Sequence, residues 1–187
     1  MPLIGKNIGE FKVQAYQNNE FHEITNENFK GHWSALVFYP ADFTFVCPTE
    51  LKDLADCYDE FKKINCEIYS VSTDTHFVHK AWVDTSETMK AIKYPMLADP
   101  TGTLSRMFDV MIEEEGLALR GTFIINPDCI IKACEINDNS IGRDSQELLR
   151  KVQAAQFVAE HGDQVCPARW KPGAKTLFPN IDLVGKI

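Results

Sequence analysis

Arginine is missing from the first hundred of the 187 residues; all five, Arg106, Arg120, Arg143, Arg150 and Arg169, come later. A guanidinium serving any site in the first half must therefore arrive through the fold. No Cys-x-x-Cys pair occurs, which removes the thioredoxin-type redox motif and the usual zinc knuckle. The longest unbroken apolar run, Ala35 to Tyr39, is far too short to span a bilayer, so no membrane partner is expected. The opening Met-Pro-Leu-Ile-Gly-Lys-Asn lacks a basic start followed by an apolar stretch. No signal peptide is read there, and the cytoplasm is the expected compartment. Basic residues are outnumbered, 19 Lys plus Arg against 27 Asp plus Glu, for a net charge of −8. An acidic balance argues against a nucleic-acid partner, because a basic face supplies that affinity.

What is present suits a globular protein: 44% hydrophobic and 25% charged residues. The length fits one domain, with a core over residues 3–160 and a C-terminal arm over residues 161–187. Six cysteines are spread along the chain at 47, 57, 66, 129, 134 and 166. A chain this long needs no disulfide framework. Cys129 and Cys134 have the first spacing of a plant-type iron–sulfur pattern, but its third ligand falls on Asn137, so the pattern fails. Cys57, Cys66, Cys129 and Cys134 read as small core hydrophobes.

The periodicity alternates between strand and helix. Phe11 to Tyr16 and Glu20 to Thr25 flank Gln-Asn-Asn and predict an N-terminal β-hairpin. Trp33 to Tyr39 predicts a strand covered on both faces. From Pro48, the residues Leu51, Leu54, Ala55, Tyr58, Phe61 and Ile64 recur at three and four, predicting an amphipathic helix. Cys66 to Ser72 is the next strand, and Thr73 or Thr75 caps a helix bearing Phe77, Val78, Ala81 and Trp82. Asp99-Pro100 predicts the start of a short helix. Phe123 to Ile125 and Ile130 to Ile136 predict antiparallel strands about an Asn-Pro-Asp turn. Asp144-x-x-Glu147 predicts a capping box opening the last helix, followed by a tail rich in Pro, Gly and Lys. Strand–helix–strand spacing implies parallel neighbours. The fold class is therefore α/β: a thioredoxin-like mixed sheet flanked by helices, with the hairpin in front and an extended tail behind.

Chemistry concentrates where the buried strand runs into the helix, over Phe38 to Leu51. Pro48 in the first turn sets Cys47 at or beside the N-cap, where unpaired amides and the positive end of the helix dipole face the sulfur. An ordinary thiol is only a few per cent ionised at neutral pH. Lowering its pKa by about 2.5 units takes on the order of 3.5 kcal/mol, more than a helix end typically gives, so a nearby cation is expected. Thr44 offers a hydroxyl that donates and accepts. Glu50 suits the dipole but opposes an anion on Cys47 unless an arginine neutralises it.

The segment Pro40-x-x-x-Thr44-x-x-Cys47 resembles the peroxidatic signature of the peroxiredoxins, and Phe-Tyr-Pro-Ala-Asp-Phe-Thr-Phe-Val-Cys-Pro-Thr-Glu resembles their typical 2-Cys branch. Further matches span nearly the whole chain: Val71 to Phe77, His79 to Trp82, Asp99 to Gly102, Arg120 before Thr122-Phe123, Gly142-Arg143 and Gln164 to Ala168. The resemblance implies that Cys47 attacks a hydroperoxide and becomes a sulfenic acid. It assigns Thr44 and Arg120 to binding the peroxide oxygens, Pro40 to shielding the pocket, Glu50 to positioning Arg120, and Arg143 to a second cationic neighbour. Cys166 matches the resolving cysteine, supplied by a partner subunit, so that Cys47 and Cys166 form an intersubunit disulfide. That implies a homodimer, with a decamer of five dimers as its larger assembly. Phe43, Phe77 and Val78 are the candidates for the second interface. The implied reductant is a flavoprotein disulfide reductase or a thioredoxin-like protein, and no cofactor or metal is implied. Easily overoxidised relatives carry a Gly-Gly-Leu-Gly insertion and a C-terminal Tyr-Phe helix. Ser86 to Tyr94 has no such glycines and the tail ends Leu-Val-Gly-Lys-Ile, so resistance to overoxidation is expected.

Three other functions compete. A Cys–His hydrolase would pair Cys47 with His76 or His79, which also have the spacing of a metal pair on a helix. A holdase chaperone would act without Cys47. A thiol–disulfide oxidoreductase is disfavoured by the missing Cys-x-x-Cys.

Overall fold

The computed structural model describes residues 2–186; Met1 and Ile187, the ends on which the leader and tail readings touch, lie outside it. Two compact units divide the chain, Met1–Ser145 and Gln146–Ile187.

The first unit opens on β1 (Lys12–Gln17) and β2 (Glu20–Thr25), the expected antiparallel hairpin. Asn18 and Asn19 between them both take positive φ, 49° and 64°, the left-handed pair whose twist matches a two-residue hairpin. β3 (Trp33–Phe38) is buried at every position, as its continuous apolar run requires. α1 (Cys47–Lys63) turns Leu51, Leu54, Cys57 and Phe61 inward at the predicted spacing and packs against β4 (Cys66–Ser72). α2 (His76–Thr85) starts where the Thr75 hydroxyl accepts from Val78 N, and buries His79 and Trp82. A three-residue strand, β5 (Met96–Ala98), follows. After α3 (Thr103–Met107) come a small hairpin, β6 (Met111–Ile112) and β7 (Leu117–Ala118), and the pair β8 (Arg120–Ile125) and β9 (Ile131–Asn137).

These strands make a seven-stranded sheet in the order β2-β1-β5-β4-β3-β8-β9. β3–β4 and β4–β5 are parallel, across the helical crossovers, and the remaining pairs are antiparallel. The result is the mixed thioredoxin-like sheet flanked by helices. One face holds the main core, where Leu36, Phe38, Tyr69, Val71, Leu97, Phe123 and Ile125 meet Leu104, Phe108 and Val110. β8 and β9 pair about Asn126-Pro127-Asp128 as expected, with Cys129 completing the turn at φ 61°.

Several details differ from the sequence expectation. Cys134 is not a core residue but lies exposed on the edge strand β9, and of the stripe expected on α2 Phe77 and Ala81 are exposed while Trp82 is buried. The helix expected at Asp99-Pro100 begins at Thr103, because Gly102 takes a left-handed conformation (φ 66°) just before it. Asp99 still caps it from a distance: its carboxylate accepts from Leu104 N at 3.0 Å and from Ser105 N at 2.8 Å. β5 was not foreseen; three residues after Pro95 are too few to show a period.

The second unit is built on α4 (Ser145–Glu160), with Phe157 against Trp170 at 4.9 Å. The following segment is not wholly extended: Val165 and Leu177 form a β-bridge, and Ile181–Leu183 is a 3-10 turn. Among the described residues no helix is long and apolar enough to cross a membrane.

Candidate active site

Cys47 is the first residue of α1, with Val46 rather than a polar side chain at the cap and Pro48 in the first turn. Cys47 thus lies beside the N-cap, one of the two positions expected, with its sulfur at the amino end of the helix. Its residue is 0% exposed. Arg120, the first residue of β8, reaches across from the strand beside β3 and places Nη1 3.3 Å from Cys47 Sγ. The cation demanded by the first half of the chain is supplied by the second.

The guanidinium is fixed from two sides. Arg120 Nη1 donates to Glu50 Oε2 at 2.6 Å, and Nε donates to the Asn139 carbonyl at 2.9 Å. Arg143 closes the other side of Glu50, donating through its backbone N and Nε to Oε1, both at 2.8 Å, and through Nη2 to Oε2 at 3.0 Å. Arg143 Nη1 is itself held by the Gly121 carbonyl at 2.9 Å and Thr122 Oγ1 at 3.0 Å. All three charged side chains are at most 8% exposed. Burial pushes the Glu50 carboxyl up, but hydrogen bonds and charge from Arg143, then the charge of Arg120, outweigh it and hold Glu50 below the ordinary glutamate value. Two guanidiniums against one carboxylate leave one positive charge beside the sulfur.

The remaining motif residues fall close by in the chain. Pro40 is buried just after β3. Thr44 Oγ1 donates to the Ala41 carbonyl at 3.0 Å. That bond uses the hydroxyl proton and leaves the oxygen as an acceptor. Thr44 therefore offers a lone pair, the narrower of the two roles its residue type allowed. Cys166 belongs to the second unit; it is a half-buried free thiol with Sγ 3.9 Å from the Ala154 carbonyl. Burial raises its pKa, with the positive charge of Arg150 pulling the other way. Burial likewise pushes up the thiols of Cys66 and Cys129, which suits cysteines that pack rather than react.

The rival pairing with histidine finds no geometry. His79 is fully buried, with Nδ1 2.7 Å from Asp42 Oδ2 and Nε2 3.1 Å from the Leu97 carbonyl. His76 sits edge-on to Phe21 at 4.7 Å. Among the described residues no group of three His, Cys, Asp or Glu side chains is placed to hold a metal.

The AhpC/TSA family description matches residues 4–134, and that of the C-terminal domain of 1-Cys peroxiredoxin matches residues 154–182. The chain belongs to the AhpC/TSA family. It is 58% identical to alkyl hydroperoxide reductase C of Salmonella typhimurium and of Escherichia coli, and 56% to that of Bacillus subtilis, each over 100% of both chains. The crystal structure of Enterococcus faecalis AhpC superposes with a TM-score of 0.87 at 54% identity, covering 89% of this chain and all of that one. Reduced Plasmodium vivax 2-Cys peroxiredoxin superposes with 0.90 at 32% identity, covering 94% and 93%. As a member of the AhpC/TSA family the chain is a peroxiredoxin, a thiol-dependent peroxidase.

Several contacts were beyond residue-by-residue reading of this AhpC/TSA sequence. The Asn139 carbonyl that aims Arg120 is backbone, so no side-chain type announces it. Gly121 and Thr122 hold Arg143 through the register of β8. Asp42, embedded in the motif, carries Tyr39 OH at 2.7 Å as well as His79, and so pins the start of the Cys47 loop.

Proposed function

We propose that Cys47 is the peroxidatic cysteine of a hydroperoxide reductase and Cys166 its resolving partner. The observation carrying this reading is the Arg120 guanidinium 3.3 Å from a sulfur at a helix amino end, anchored by Glu50. Cys47 sulfur attacks the terminal peroxide oxygen, the O–O bond breaks, and the alcohol or water leaves with the proton. Cys47 becomes a sulfenic acid. Thiolate formation alone does not explain speed, because nucleophilicity falls with pKa. Arg120 supplies donors to the oxygens that gain charge, and Thr44 accepts from the peroxide hydroxyl. Pro40 keeps water off the sulfur, while Glu50 and Arg143 hold Arg120 in place. Because Cys47 is wholly buried, the first turn of α1 unwinds before Cys166 of a second copy attacks the sulfenic sulfur. The S–S bond forms and water leaves.

The chain works as one domain with a mobile arm, as a homodimer assembling into a decamer in the cytoplasm. Phe43 (58%) and Phe77 (63%) are exposed, and Phe77 lies 5.3 Å from the exposed ring of Phe21, an apolar pair that a neighbouring dimer would cover in the decamer. A flavoprotein disulfide reductase or thioredoxin-like protein returns the disulfide to thiols. Hydrogen peroxide and organic hydroperoxides are the substrate class, in keeping with the names of the relatives. Nonreducing electrophoresis after one equivalent of peroxide tests the scheme. A covalent dimer is expected in wild type and in neither Cys47→Ser nor Cys166→Ser; a dimer that persists in Cys47→Ser overturns it.

A further inference from the structure

The segment around Cys47 lies between two buried, multiply bonded carboxylates. At one end Asp42 is tied to Tyr39 OH, to His79 and, through its backbone N, to Asp74 Oδ2 at 2.8 Å. At the other, Glu50 takes four bonds from Arg120 and Arg143. Residues 43–49 between these anchors are held far less well. Phe43 takes a strained positive φ of 56°, unusual for a bulky residue, and Phe45 is 93% exposed. No side-chain cap closes the start of α1, and Pro48 has no amide to give.

What closes the first turn converges on one atom, the Val46 carbonyl. It accepts from Thr49 N at 3.0 Å, from Glu50 N at 3.2 Å and, at the shortest distance, from Thr49 Oγ1 at 2.6 Å. Among the described residues only three side-chain hydrogen bonds restrain residues 43–49. Thr44 bonds back to Ala41, on the anchored side, and Arg120 bonds to the sulfur. The third is the Thr49 hydroxyl, the one side-chain bond among them that ties the two ends of the turn that must open, beside the two backbone bonds to the same carbonyl.

We infer that Thr49 is a positioning residue whose hydroxyl latches the first turn of α1 and so times the release of Cys47 to Cys166. The inference rests on the peroxidase reading of Cys47. The step it controls consumes nothing further: the Cys47 S–O bond breaks, an S–S bond forms, and the Cys166 proton leaves with the hydroxyl as water. Glu50 stays fixed as the hinge, and three unwound residues let the sulfur travel roughly 10 Å from it. The Thr49 hydroxyl bonds the Val46 carbonyl and not Cys47 Sγ or Arg120, so the first oxidation is expected to be independent of it.

Rapid mixing of reduced protein with hydrogen peroxide, with quenched samples read by mass spectrometry, separates the two steps. Thr49→Val removes the hydroxyl at nearly constant shape. Its Cys47 oxidation rate stays within about twofold of wild type, whereas disulfide formation rises roughly two- to fivefold and the sulfinic fraction falls in proportion. Thr49→Ser restores wild-type timing. An unchanged disulfide rate in Thr49→Val, or Thr49→Ser behaving like Thr49→Val, overturns the latch while leaving the peroxidase reading intact. A wild type that forms no peroxide-dependent disulfide overturns that reading instead. Hydrogen exchange of the peptide covering residues 46–52 gives a second measure: faster exchange in Thr49→Val is expected, and unchanged exchange contradicts the latch.

Discussion

Replacing Arg120 by methionine separates contact with the reacting sulfur from support of the fold. The side chain donates to Cys47 Sγ, to Glu50 and to the Asn139 carbonyl. Its removal takes away the charge beside the sulfur and the donors facing the peroxide. A single preorganised donor of this kind is worth about 10²–10³ in rate, or about 3–4 kcal/mol. Folding suffers less, because Glu50 keeps the backbone N, Nε and Nη2 of Arg143. A loss of about 1–3 kcal/mol in stability is expected, the range for a buried group that keeps some of its partners. Arg143→Met inverts the comparison. It strips Glu50 of its Nε and Nη2 bonds and frees Gly121 and Thr122, yet leaves Arg120 touching the sulfur. Stopped-flow oxidation of the reduced protein by hydrogen peroxide, read beside urea unfolding, gives both quantities. Arg120→Met loses about a hundredfold or more in the second-order rate constant and Arg143→Met loses clearly less. An Arg120→Met rate within about threefold of wild type, or a larger rate loss in Arg143→Met at equal stability, refutes the reasoning.

Glu50→Gln leaves two buried guanidiniums without their carboxylate, a defect costing about 3–5 kcal/mol at neutral pH. Since the fold holds the Glu50 carboxyl below its ordinary value, its contribution is complete above about pH 4.3 and is lost as pH falls through the folded value. Urea unfolding therefore shows a gap between wild type and Glu50→Gln that is wide at pH 7 and shrinks in acid; a gap that widens in acid contradicts the pairing. A methyl group on Gly121 would come 2.7 Å from Val110 Cγ1 and 2.9 Å from Phe123 Cε2, both in the buried core. Gly121→Ala is expected to cost about 1–3 kcal/mol by overpacking, measured as a fall in melting temperature; an unchanged midpoint sinks the steric claim. Wild type should form sulfinic acid on Cys47 only at large peroxide excess, and mass spectrometry showing it at modest excess removes the expected resistance.

The strands and helices were legible wherever one residue pattern ran long enough to repeat. β3 announced itself by five consecutive apolar residues, and α1 by inward side chains at three and four. β5 was too short to show a period. The start of α3 turned on Gly102 taking a left-handed conformation and on Asp99 reaching five and six residues forward, neither visible as periodicity. The site divides in the same way. That Cys47 would lie at the amino end of a helix followed from Pro48 and the period of α1. That Arg120 would lie against it did not follow from any local pattern, because the two residues are 73 positions apart and joined only through the order of β3 and β8. Family resemblance named Arg120; the sheet order explains how it gets there.

Cys166→Ser, reduced and given one equivalent of hydrogen peroxide with a sulfenic-acid trap present, tests the central claim most directly. With its attacker removed, the oxidised sulfur should persist, and peptide mass spectrometry should find the trap attached at Cys47 and at none of the other cysteines. A trap on Cys57, Cys66, Cys129 or Cys134 with Cys47 unmodified would place the peroxide chemistry on another sulfur, and with it the purpose of the Arg120–Glu50–Arg143 cluster.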